Sequence, residues 1–224
     1  MTIHHLKNKR LGPRYIAIEG PIGVGKTALA KRLADSLSGD LMLEDFEENP
    51  FLERFYRDGR SAALPAQMFF LFARARQIEQ MRQSDLFSNV RISDYLFTRD
   101  RLFAELNLDA EELKLYEQIV DNLKIEAPVP DLVIYLQSSV DVILQRLARR
   151  DSPNDRFIEK RYLERLIDAY SQFFHNYKEG PLLIVNTSQI NPINDDIDYA
   201  QLFEQIESTK SGRRFFNPTK AAFA

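Results

Sequence analysis

Gly20-Pro21-Ile22-Gly23-Val24-Gly25-Lys26-Thr27 satisfies the pattern G-x-x-x-x-G-K-[ST], and it constrains the fold more than any other stretch because it works only between a strand and a helix. Both neighbours are present. Tyr15-Ile16-Ala17-Ile18-Glu19 reads as a strand, and Thr27 to Ser38 carries Leu29, Ala30, Leu33, Ala34 and Leu37 at the spacing of a buried helix face before Gly39 stops it. In such a setting the glycines let successive N–H groups curl around a β-phosphate, while the helix N-terminus adds partial positive charge at the same point. Residues Gly20, Pro21, Ile22, Gly23, Val24, Gly25, Lys26 and Thr27 are therefore the expected ATP-binding set. Lys26, expected to be exposed on a preformed loop, would bring its ammonium to the β/γ-phosphates, and the Thr27 hydroxyl would face Mg²⁺.

The rest of the chain alternates short apolar runs with helical periods, as a parallel α/β fold does. Further strands are expected at 41–44, 90–94, 132–136 and 182–185, and helices at 65–81, 110–123, 140–150, 162–177 and 197–208. The expected architecture is a three-layer α/β fold of the P-loop NTPase type, with a five-stranded parallel sheet flanked by helices and a helical lid. A polar lead-in (1–13), one domain (14–208, lid about 146–160) and a loose or docked tail (209–224) complete the division.

Composition removes whole classes of function. With no cysteine, disulfides, thiolate metal sites and cysteine nucleophiles are excluded, which suits a reducing cytoplasm. The 30 basic against 33 acidic residues leave a net charge of −3, so no overall basic field exists to hold nucleic acid or an anionic membrane. Apolar stretches such as Met68–Ala73 are far shorter than the roughly 18 residues of a spanning helix. The first residues, with His4, His5, Lys7, Lys9 and Arg10, lack the apolar core of a secretory signal. The three histidines (His4, His5, His175) read as surface residues rather than metal ligands.

A phosphate loop alone does not choose between a switch, a motor and a kinase. The chain has no D-x-x-G or N-K-x-D sequence, and no apolar strand ends in an Asp-Glu pair, so a small-molecule kinase is the reading that remains. Glu44 ends the second expected strand, where a carboxylate faces the ligand crevice and could take a proton from a hydroxyl; with Asp45, Glu47 and Glu48 it could also form a solvated acidic loop. Gln67 and Arg74 lie seven apart on an expected helix, hence on one face within about 20°. An amide beside a guanidinium suits a nucleobase edge, yet helices carry the same residues as solubilisers, and spacing leaves both readings open. Asp94 at the third strand's end and Asp100 beyond it suit metal or substrate contact, or else helix capping. Arg146 and Arg150 share a helix face just before a turn, where guanidiniums can close over phosphates or simply complement the helix dipole.

These segments together resemble the deoxynucleoside kinases, closest to the bacterial deoxyadenosine/deoxyguanosine kinases, over most of 14–208. The likeness rests on Ile18 through Thr27, on Glu47-Glu48-Asn49-Pro50-Phe51-Leu52 into Phe55-Tyr56, on Gln67 through Arg74, and on Ser93-Asp94-Tyr95 leading to Leu102-Phe103-Ala104. The resemblance implies ATP-dependent phosphorylation of a deoxynucleoside 5′-hydroxyl, in a cytoplasmic homodimer without nucleic-acid or membrane partners. It makes Glu44 the general base, with Gln67 and Arg74 reading the base. It also puts Tyr56 and Asp155 on the sugar 3′-hydroxyl, Phe103 against the base, Thr27 and Asp94 on the metal, and Arg146 and Arg150 in the lid. Asp100 corresponds to the aspartate that pairs with the base-reading arginine. One departure stands out: many family members carry an acidic-Arg-Ser triplet where this chain reads Ser93-Asp94-Tyr95, and Arg91, Arg99 and Arg101 are the candidates for the missing arginine. A nucleoside monophosphate kinase is the alternative enzyme, and a non-catalytic nucleotide-binding regulator the alternative of another class. The long helices 65–81 and 110–123 are the expected dimer surfaces.

Overall fold

The computed structural model describes residues 15–218 except 45, 47, 84–89, 151 and 153, so the lead-in 1–13, Asp45 and Glu47 lie outside the described residues. Tyr15–Glu19 forms strand β1, whose side chains alternate between faces: Ile16 and Ile18 enter one core cluster and Ala17 the other. There follow α1 (Lys26–Leu37), β2 (Asp40–Met42), α2 (Leu52–Asp58), α3 (Ala63–Gln83) and β3 (Arg91–Ser93). The second half comprises α4 (Asp100–Asn107), α5 (Ala110–Leu123), β4 (Leu132–Gln137), α6 (Val140–Arg150), α7 (Lys160–Asn176), β5 (Leu182–Asn186), α8 (Asp196–Ser208) and β6 (Arg213–Phe216).

The strands stand in the order β2-β3-β1-β4-β5-β6 and every pairing is parallel. β1 is central, and the chain leaves it toward β3 on one side and β4 on the other, so its carboxyl end opens on the topological switch point where ligands bind. One face of the sheet is covered by α1 and α8, through Leu29, Leu33, Leu202 and Phe203. The other is covered by α6, α7 and α4, through Ile143, Leu147, Leu166, Tyr170 and Leu102. A smaller cluster joins α3, α4 and α5 around Leu71, Ala104 and Tyr116. Among the described residues, no helix is long and apolar enough to cross a membrane.

The sheet has six strands rather than the five expected. The sixth is in the segment read as a tail: Arg213–Phe216 pairs with β5 from Leu182↔Arg213 to Val185↔Phe216. Arg-Arg-Phe-Phe is too short and too charged to show a strand period, and what fixes it is long-range. Arg213 donates to the carbonyls of Phe174 and His175, each at 2.9 Å, satisfying orphan groups at the end of α7. Helices α2 and α4 were also not anticipated. Conversely, β2 and β3 end at Met42 and Ser93, before Glu44 and Asp94; past them Asp94 N–H donates to the Met42 carbonyl at 3.3 Å, while Glu44 N–H goes to a side chain, Asp94 Oδ1, at 2.8 Å.

Candidate active site

The loop after β1 is shaped by close approach. A Cβ on Gly20 would lie 2.4 Å from the Leu136 carbonyl oxygen, and Gly25, at φ +108°, enters α1 in a left-handed conformation. Lys26 is buried, not exposed as expected, because the loop wraps its own lysine: Nζ donates to the carbonyls of Gly20 at 2.9 Å and Pro21 at 3.2 Å. Burial pushes the ammonium below the ordinary lysine value, opposed by the carboxylates of Glu19, Asp94 and Glu44. Thr27 Oγ1 donates to Asp94 Oδ2 at 2.5 Å. Burial raises the Asp94 carboxyl, against the hydrogen bonds from Thr27 and the Glu44 backbone.

Beside this loop lies a buried ion network. Glu44 Oε1 accepts from Arg74 Nη2, and Glu44 Oε2 from Arg99 Nη2 at 3.4 Å. Arg74 Nη1 donates to Asp100 Oδ1, whose second oxygen accepts from Gln67 Nε2 at 2.9 Å and from the Tyr116 hydroxyl at 2.7 Å. Arg99 is held in turn by Glu19, Nε to Oε1 at 2.7 Å. Burial works to raise the Glu44 carboxyl, but Arg74, Arg99 and Lys26 together outweigh it, and the group sits below the ordinary carboxylate value. Of the three arginines proposed to replace the missing one, Arg99 is therefore the one bonded to Glu44. Arg91 instead donates to the Met81 carbonyl, and Arg101 pairs on the surface with Glu105 and Glu117.

Gln67 and Arg74 share the buried face of α3 with Leu71 and Ile78, which explains why the apolar period of that helix is interrupted there. A cleft over this face is lined by Glu44, Tyr56, Gln67, Arg74, Arg99 and Phe103, among others. Phe103 meets Tyr170 edge-on, with Arg99 4.7 Å from its ring centre. Asp94 and Asp100 stand behind the cleft wall rather than in it. Arg146, Arg150 and Asp155 are not among the residues that line the cleft; Arg150 grips Asp155 with both arms, Nε to Oδ2 at 2.6 Å and Nη2 to Oδ1 at 2.5 Å. Arg146 turns to the phosphate loop, donating to the Val24 carbonyl at 3.0 Å and to the Thr187 carbonyl at 2.7 Å.

Four residues that the sequence leaves without a definite role organise this site. Glu19 is fully buried and accepts from Gly20 N, Leu96 N, Arg99 and Tyr170, locking the end of β1 to the segment after β3 and to α7. A polar residue closing an otherwise apolar strand was its only signal. Asn49 clamps the acidic loop to α3 through the Ala66 carbonyl at 3.1 Å. Arg99 is one of three candidates that the sequence does not separate, and Tyr116 lies within the expected helix 110–123 with nothing local to single it out.

A phosphate loop at the centre of a parallel sheet, with a buried carboxylate beyond the edge strand β2, is the framework of a phosphoryl-transfer enzyme of the P-loop type. Residues 16–210 match the family described as deoxynucleoside kinase, and the chain belongs to it. It is 36% identical over 177 residues to a deoxyguanosine kinase of Bacillus subtilis, covering 77% of this chain and 84% of the relative. A deoxyadenosine kinase of Lactobacillus acidophilus is 27% identical over 206 residues, covering 86% of this chain and 94% of the relative. The fold is that of a solved deoxyadenosine kinase from M. mycoides with bound dATP, with a TM-score of 0.75 at 24% identity over 87% of this chain and all of that one.

Proposed function

We propose that this chain transfers the γ-phosphoryl group of ATP to the 5′-hydroxyl of a purine deoxynucleoside, deoxyadenosine or deoxyguanosine. The observation that carries the reading is Glu44, a buried carboxylate kept ionised by Arg74 and Arg99 beside the phosphate-loop lysine. Each of its oxygens accepts one arginine N–H and keeps a lone pair for a substrate hydroxyl. As the 5′-oxygen bonds to the γ-phosphorus, the bond to the β–γ bridging oxygen breaks and the hydroxyl proton passes to Glu44. Lys26 and the N-terminus of α1 hold the charge that gathers on the phosphates.

In this reading Gln67 and Arg74 meet the base and Phe103 packs on its ring, while Tyr56 and Asp155 hold the 3′-hydroxyl. Arg146 and Arg150 close the lid over the triphosphate. Mg²⁺ fits the Thr27 and Asp94 pair, a hydroxyl and a carboxylate already in contact. Among the described residues no cluster of three or more His, Cys, Asp or Glu forms a cage, which suits an ion that keeps phosphate and water ligands. When bound, the ion would neutralise phosphate charge. An uncharged acceptor is favoured over an acceptor phosphate because both cleft arginines, Arg74 and Arg99, are already committed to carboxylates. The exposed Phe72 on α3 and Leu115 on α5 support pairing of two copies through these helices.

Glu44→Gln tests the reading, since it keeps volume and removes basicity. General-base help is worth roughly 10² to 10⁴ in rate, and a carboxylate held this acidic belongs near the lower end. The expected result is a kcat about 10²-fold lower with nucleoside and ATP affinities, measured by calorimetry, much less changed. Retention of more than about a third of the wild-type kcat, a difference of only ~0.65 kcal/mol, would overturn the assignment.

A further inference from the structure

Gln67 in the cleft wall is not free to present either end of its amide. Its Nε2 donates to the Asp100 carboxylate at 2.9 Å and to the Asp100 backbone carbonyl at 3.0 Å. Both partners can only accept, so chemistry dictates which end of the amide faces them and both N–H groups are consumed. What remains for a ligand is Oε1, an acceptor with no partner among the described residues. Arg74 beside it has only donors, and its Nε–H is buried without a partner. The wall therefore offers Oε1 as an acceptor, beside an arginine that can only donate. That matches a base edge carrying a donor next to an acceptor, such as the 6-amino group and ring nitrogen of adenine or the N1–H and O6 of guanine.

Asp100 sets this polarity, and Tyr116 sets Asp100. The Tyr116 hydroxyl, brought up by α5, donates to the same Oδ2 that receives Gln67, at 2.7 Å, and the ring is buried in the α3–α4–α5 cluster. Burial pushes this hydroxyl up to about 12, so it remains a donor at any working pH. With Arg74 on Oδ1, and Gln67 and Tyr116 on Oδ2, the carboxylate has neither rotational freedom nor a face toward the cleft.

We propose that Tyr116 is a positioning residue for substrate choice: by pinning Asp100 it fixes Gln67 as a pure acceptor, so that the enzyme selects nucleosides whose base edge offers a donor beside an acceptor. This rests on the reading of the cleft as a nucleoside site. Its test compares deoxyadenosine with purine 2′-deoxyriboside, which lacks the 6-amino donor and is otherwise the same size. The unmodified chain should favour deoxyadenosine by about tenfold or more in kcat/KM, because the analogue leaves a desolvated acceptor unmet. In Tyr116→Phe that ratio should shrink at least threefold, with KM for deoxyadenosine rising more than kcat falls, since a loosened amide can turn its N–H toward the analogue. A merely structural tyrosine would lower both nucleosides equally and leave the ratio standing, and that result would overturn the proposal. Should Tyr116→Phe fail to fold, the ratio in the unmodified chain decides: equal use of the two nucleosides rejects the proposal. Calorimetric titration of both nucleosides separates the two levels. Binding of neither defeats the nucleoside reading along with this one, whereas binding and phosphorylation without discrimination defeats this one alone.

Discussion

The α3 wall of the cleft and a second wall at the end of α6, outside the residues that line the cleft, are built on opposite principles. The α3 wall is a closed ion network in which Glu19, Glu44, Arg74, Arg99 and Asp100 are all nearly inaccessible, and each carboxylate oxygen has a donor. The second wall, at the end of α6, keeps the Arg150 side chain 56% exposed while Asp155 is only 5% exposed, and Arg146 rests on backbone carbonyls instead of a counter-charge. Desolvated charges are tolerable only when fully paired, so the first wall has to be assembled with the fold. The exposed Arg150 and the half-buried Arg146, on exchangeable partners, can change position at modest cost, as the lid of the proposed function requires. One wall is therefore set before substrate arrives, and the other can answer to it.

The largest effect that could break this contrast comes from Arg99→Leu. The change leaves Glu19 without its guanidinium and removes one of the arginines on Glu44, and breaking a buried pair from one side costs about 3 to 5 kcal/mol. Urea unfolding should show that loss. The pH dependence adds a sign. Burial acts to raise the Glu44 carboxyl, but its arginines and Lys26 hold it low; its contribution to stability is thus complete above the unfolded carboxylate range and fades as pH falls through the folded value. Without Arg99 that folded value rises, so acid unfolding should begin at higher pH than in the wild type. A cost under about 1 kcal/mol with an unmoved acid limb would mean that the α3 wall is no more committed than the lid.

Sequence reasoning reached the members of the buried network unequally, for a physical reason. Lys26, Thr27, Glu44, Gln67 and Arg74 were accessible because local pattern announces them: a glycine-rich turn between strand and helix, a strand end, two polar residues on one helical face. Gln67 and Arg74 even proved to be on the buried face of α3, although spacing alone could not distinguish that from a solvated one. What stayed hidden depends on contacts between distant parts of the chain. Arg99 and Glu19 lie 80 residues apart, and Arg213 caps a helix 38 residues upstream. No window of sequence contains both members of such a pair. β6 was missed because its pairing with β5, not its own four residues, makes it a strand.

Between the walls stands Lys26, and Lys26→Ala should have the next largest effect, this time on rate. Removing one preorganised charge from developing phosphate charge costs on the order of 10² to 10³ in kcat. Because burial already opposes the ammonium, its loss should scarcely move the melting temperature. Steady-state kinetics beside a circular-dichroism melt checks both halves. Full loss of folded signal would show that the ammonium on the Gly20 and Pro21 carbonyls is part of the scaffold rather than held in readiness.

The smallest effect expected on stability is the one that sharpens the contrast most. Arg150 and Asp155 form a two-armed pair with short bonds, which on distance alone looks as strong as anything in the α3 wall. Exposure decides otherwise: a half-exposed arginine is screened, gives up side-chain entropy to hold one geometry, and gains about 0 to 1 kcal/mol from such a pair. Arg150→Ala should therefore unfold within about 1 kcal/mol of wild type. Its kinetic effect should nonetheless exceed that of a neutral surface change, because the same arginine is bonded to Asp155 and, in the proposed function, closes over the triphosphate. Arg150→Lys keeps the charge and loses the fork, so it separates the two contributions: recovery of kcat without recovery of nucleoside KM would assign the charge to the phosphates and the fork to Asp155. If Arg150→Ala instead destabilised the chain as much as Arg99→Leu, the lid wall would be as rigidly committed as the other, and the division of labour between the two walls would fail.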